Sequence, residues 1–164
     1  LKSRTNLFLL ISFLLAASLT AWFYYQKGHN VGDLTADPEI DGEFQVCDED
    51  KIPNYYAIGT HYQGGKKAIK AEILNDLENL EFQEQGNISL RFIVNCHGET
   101  GRFRSKSTDL EMKKIPVDEA RLDKIKNRVR QLNKWNPAKN DHATYDSYYV
   151  LNFKLRDGRI VDIF

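Results

Sequence analysis

Nineteen consecutive residues, Leu7 to Tyr25, carry no charge and are almost wholly apolar. At ~1.5 Å rise per residue such a run is about long enough to cross a bilayer core as one helix. Lys2 and Arg4 precede it and only Lys27 comes soon after, so the basic flank predicts the N-terminal end in the cytoplasm and the rest outside. Trp22, Phe23, Tyr24 and Tyr25 stand where an outer interface belt belongs. The competing reading is a cleaved signal peptide: a basic start, the apolar stretch Leu7–Leu15, then small Ala16-Ala17-Ser18 as the cleavage zone. No Cys lies close behind the apolar run, which argues against a lipid-modified terminus. Both readings place the rest of the chain outside the cytoplasm.

That export gives the two cysteines their meaning. In an oxidising compartment Cys47 and Cys96 are the one intramolecular pair available, and a bridge is expected. Closing a loop of about fifty residues would contribute on the order of 4 kcal/mol by loss of chain entropy in the unfolded state. Lys+Arg 23 balances Asp+Glu 23, so no net basic face is offered to phosphates and nucleic acid is not an expected partner.

The chain divides into an anchor or signal segment at 1–25, a flexible acidic linker at 26–52 broken by Gly28, Pro38 and Gly42, and a domain at 53–164. Within the domain, Ile69, Ile73, Leu77 and Leu80 recur at helical spacing behind a sharp start at Gly64-Gly65. Ile88, Leu90, Phe92 and Val94 then alternate with Ser89, Arg91 and Asn95, the period of a strand with one buried face. Ile93 breaks the polar set, so the second face is not wholly wet. His97 to Gly101 turns the chain, and Arg102–Ser105 returns as a second strand. Asp118 can cap a helix built on Leu122, Ile125, Val129 and Leu132, which Pro137 ends just past Trp135. Tyr148–Leu155 is a late strand, and Asp157-Gly158 allows Ile160–Ile163 to return beside it. The sum is α+β: a small antiparallel sheet of three to four strands, two helices on one face, and one N-terminal transmembrane helix.

Candidate chemistry is sparse. Cys96-His97 with Cys47 could hold a soft metal, but a bridge uses the same sulfurs, and no metal is expected. Asp37, Glu39, Asp41, Gly42 and Asp48 touch positions of a calcium loop without its flanking helices, and a solvated acidic stretch explains them. No nucleophile elbow or phosphate loop is present, no cofactor is implied, and the chain is not expected to be an enzyme. Arg121, Lys124, Lys126, Arg128 and Arg130 form a basic helix side that could meet cell-wall polymer or an envelope complex. Tyr145, Tyr148 and Tyr149 lead into the late strand, whose edge would offer unpaired N–H and C=O groups to an incoming peptide.

The order Tyr62-x-Gly64-Gly65, Gly86-x-Ile88-x-Leu90-x-Phe92-x-Val94, Gly98-x-x-Gly101, Trp135-x-Pro137-Ala138 and a late strand resembles the C-terminal domain of TonB-type energy transducers, in its divergent Bacteroidetes form. The resemblance covers roughly residues 53–155. It implies an inner-membrane anchor, a periplasmic domain, no cofactor, and binding by strand addition to a peptide of an outer-membrane transporter. Carried onto this chain, the binding edge is Tyr148, Tyr149, Val150, Leu151, Asn152, Phe153 and Lys154; a homodimer is a second partner class. The chain departs from that family in lacking a Pro-rich spacer, a histidine in the apolar segment, and a Gly-Pro before the late strand.

Overall fold

The computed structural model describes residues 2–30, 34–77 and 79–164. They fall into two compact units, Leu1–Asp33 and Leu34–Phe164. The first unit is α1 (Lys2–Asn30), in which Asn6–Phe23 is long and apolar enough to cross a membrane. Its large apolar side chains, Leu7 through Phe23, are exposed. The hydroxyls of Ser12 and Thr20 donate back to the carbonyls of Leu9 and Ala16 at 2.9 Å, so these polar atoms on the apolar stretch are satisfied within the helix.

The second unit contains helices α2 (Pro38–Asp41), α3 (Tyr55–Ile58), α4 (Gly65–Leu77) and α5 (Glu119–Arg130). Its strands are β1 (His61–Tyr62), β2 (Gly86–Val94), β3 (Thr100–Thr108), β4 (Trp135–Asn136), β5 (Ala138–Lys139), β6 (Thr144–Tyr145), β7 (Ser147–Arg156) and β8 (Arg159–Ile163). The main sheet is antiparallel in the order β3-β2-β7-β8; β1–β4 and β5–β6 form two short ribbons.

The helices form where the spacing expects them. Gly64 and Gly65 both hold left-handed φ (82° and 68°), which side chains with a Cβ resist, and they set the start of α4. Ile69, Ile73 and Leu77 on α4 and Leu122, Ile125 and Val129 on α5 are buried on one shared core. The Asp118 carboxylate accepts the Arg121 N–H at 3.0 Å and caps α5. Against these helices lie the alternate residues Ile88, Leu90, Phe92 and Val94 of β2 and Tyr149, Leu151, Phe153 and Leu155 of β7. Leu80 and Leu132 are also buried, just past the helix ends. Ile93, on the opposite face of β2, is fully buried as well, so that face is only partly wet.

Two sequence expectations are corrected. The late strand is not an edge: β7 pairs with β2 from Ser147 to Leu155 and with β8 from Phe153 to Arg156. The cause is the tight Asp157-Gly158 hairpin, which lays β8 along the outer side of β7. The acidic stretch 26–52 is not a free linker either. Residues 31–33 of it lie outside the described residues, but from Leu34 onward the chain belongs to the second unit. Leu34 is buried, and Phe44 lies so close over Gly101 that a Cβ there would come within 2.1 Å of its ring.

Candidate docking surface

The seven residues Tyr148 to Lys154 split by the period of the strand. Tyr149, Leu151 and Phe153 face the core and are buried; Tyr148, Val150, Asn152 and Lys154 lie on the second face, half-buried. The outer backbone of this stretch is largely engaged. Tyr148 donates its N–H to the Pro53 carbonyl at 2.9 Å, Asn152 and Phe164 exchange both backbone bonds at 3.0 and 2.9 Å, and Lys154 pairs with Asp162. Ser89 on β2 reaches across the second face to the Asn152 side chain at 2.8 Å. A peptide cannot pair along this strand while β8 is in place.

The free side passes to β8. Because Asn152 and Phe164 form a hydrogen-bonded pair, the backbone polar groups of Ile163, one residue earlier, turn away from β7. Its N–H donates to Asp162 Oδ1 at 2.9 Å, and the same oxygen accepts Lys70 Nζ at 2.7 Å. These bonds hold the Asp162 carboxyl below its ordinary range, the Lys70 hydrogen bond first among the causes. Val161 and Phe164 are exposed beside this edge (45 % and 47 %), and a bulge sits opposite Lys154/Leu155. A short, bulged, charge-flanked edge resists indiscriminate pairing yet still presents main-chain groups.

The residues of the aromatic motif do meet. Tyr62 pairs with Trp135 across β1 and β4, with ring centroids 5.1 Å apart, and Phe92, Phe103 and Tyr149 close around them. Gly98 sits against the Trp135 carbonyl and Pro137, so the turn after β2 is packed on the same motif. Burial pushes the Tyr149 phenol up to about 12, with Tyr55 adding to it. Burial also raises Tyr62 to about 12, helped by Glu72, which accepts its hydroxyl at 2.8 Å. The motif is a core clamp and not a surface.

The docked segment 34–52 is held by charge and by a covalent bond. Arg102, 4 % exposed, forms a forked pair with Glu49; Arg104 does the same with Asp41 (2.6 and 2.9 Å). Arg102 stands at φ 52°, in the irregular part of the β2–β3 ladder. Asp37 caps α2 and Asp41 pairs with Arg104, so two of the acids that suggested a calcium loop serve a helix end and an arginine. Cys47 and Cys96 are bridged, as expected. Asp146, 1 % exposed, accepts three backbone N–H groups: Cys47 and Asp48 at 2.8 Å on one oxygen, and Cys96 at 2.9 Å on the other. Neither Asp146 nor the arginine forks carry a local sequence signature, and sequence reasoning missed them.

The basic side of α5 is mostly met within the domain. Lys126 pairs with Asp123 (2.9 Å) and Glu119, Arg128 with Asp76, and Arg130 bonds Asn127 while stacking on Phe103; Arg121 lies over Phe82. An open groove of about 610 Å³ is lined by Lys51, Pro53, Ala57, Ile58, Lys139, Asn140 and Tyr145, with no acid, histidine or cysteine among the described residues of its lining. No protein-family model, no curated protein and no solved structure matches this chain.

Proposed function

We propose that the chain is a membrane-tethered, extracytoplasmic docking domain that takes up an extended partner peptide as a fifth strand along β8, with no catalytic role. The observation that carries this reading is the outer side of β8, which no strand covers among the described residues and which exposed Val161 and Phe164 flank. The apolar span in α1 supports the tether, and the Cys47–Cys96 bridge supports an oxidising compartment. Together with the resemblance to TonB-type transducers, these favour the inner membrane and the periplasm.

Site-specific photo-crosslinking in intact cells tests it. A photoreactive residue at Val161 should yield one discrete adduct that the same probe at Lys106, on the opposite edge strand β3, does not. Equal adducts from both positions, or none from Val161, would remove the basis for strand addition at β8.

A further inference from the structure

The bridge region carries more than a staple. His97 follows Cys96 directly in the turn after β2, and the ligand atoms of Cys47, Cys96 and His97 all lie within 4.8 Å of one another. Cys47 and His97 are exposed and Cys96 half-buried, so the cluster is reachable from solvent. Ordinarily a reduced disulfide lets its two chain segments part. Here they are held together by bonds that do not involve sulfur. One buried carboxylate, Asp146, fixes the backbone N–H groups of both cysteines. Asn95 adds a bond to the Gln45 carbonyl at 3.2 Å, and the Arg102–Glu49 and Arg104–Asp41 forks hold the same segment on either side. The His97 N–H donates to Asn95 Oδ1 at 3.0 Å, which holds the turn in place.

We propose that reduction of the Cys47–Cys96 bridge opens a preformed site for a soft d¹⁰ cation, Zn²⁺ or Cu⁺, with the two cysteine sulfurs and the His97 imidazole as ligands. Thiolate and imidazole donors suit such ions, and three protein ligands leave one position for water or an exogenous group. The reductant is a protein dithiol of the extracytoplasmic thiol–disulfide exchange class. Its thiolate attacks the exposed Cys47 sulfur and expels the Cys96 thiolate. Its second thiol then resolves the mixed disulfide, so the reductant leaves oxidised and both cysteines end as thiols. Binding one Zn²⁺ by the two thiols and the neutral imidazole releases two protons to solvent. The site is silent while oxidised because both sulfurs are spent on each other.

Calorimetric titration of the detergent-solubilised full chain with Zn²⁺ alone tests this, before and after anaerobic reduction by a phosphine, with Co²⁺ absorption as the check on thiolate ligation. The reduced chain should bind one equivalent with release of two protons and show a thiolate–Co²⁺ band. The oxidised chain and the reduced His97→Gln variant should each bind at least about tenfold more weakly. Equal affinity of the oxidised chain, unchanged affinity in His97→Gln, or no uptake by the reduced chain would overturn the proposal. So would loss of amide-exchange protection at Cys47 and Cys96 on reduction, since the sulfur-independent clamp would then have failed.

Discussion

Replacing both cysteines by alanine measures how much of this unit's stability comes from the staple and how much from the clamp around it. The bridge joins residues 49 apart in sequence. The chain-entropy relation assigns a loop of that length about 4 kcal/mol at 25 °C. The native state should change little, because Asp146, Arg102 and Arg104 still hold the segment. The loss should therefore fall on the unfolded state and approach the full value. For a unit of about 130 residues, unfolding entropy near 2.1 cal/mol/K per residue turns that into a Tm drop of roughly 15 °C. The assay is thermal and urea unfolding of the full chain in micelles, followed by Trp135 fluorescence with Trp22 replaced by Phe. A loss below about 1 kcal/mol would instead mean that the loop is already closed in the unfolded ensemble or that the bridge strains the fold.

Leu151→Ala removes a fully buried side chain from the centre of β7 and should cost about 2–5 kcal/mol in the same unfolding assay; an effect under about 1 kcal/mol would place Leu151 outside the core. Acid should loosen the docked segment. The Arg102 hydrogen bond holds Glu49 below its ordinary 4.5, against a smaller upward push from burial. Burial raises Asp41, but the Arg104 hydrogen bond, the Asp37 N–H and nearby charge outweigh it and leave it below 3.8. Carboxyls depressed in the folded state stabilise it above their unfolded values and lose that contribution as pH falls through the folded ones. Stability should thus be flat above about pH 5 and fall below it, and Asp41→Asn with Glu49→Gln should flatten that acid limb. An unchanged limb in the double variant would show that the forks contribute nothing. Reversing Lys124 and Arg121 to Glu should leave the Val161 crosslink intact; its loss would return the basic side of α5 to the binding surface.

The helices were legible because their apolar residues recur at helical spacing and a capping Asp118 is local. The β2 strand was legible from strict alternation. The position of β7 was not, because an antiparallel strand with one buried face alternates identically at the edge and in the middle. Only Asp157-Gly158 distinguished the two, and its hairpin competes directly with an open edge on Tyr148–Lys154. The stretch 34–52 read as a linker because its acids are local and their arginines are some fifty to sixty residues away. Charge that looks solvated in sequence is neutralised by β3 in the fold. Cys47 and Cys96 could be paired in advance because no other partner existed. Asp146, a lone acid before a strand, could not.

The claim on which docking at β8 rests is that β8 occupies the outer side of β7. Residue-resolved amide exchange of the full chain measures it directly. Asn152 and Lys154, whose N–H groups face β8, should exchange as slowly as Leu151 and Phe153, which face β2. Fast exchange at Asn152 and Lys154 beside slow Leu151 and Phe153 would show β7 to be the open edge and contradict the account.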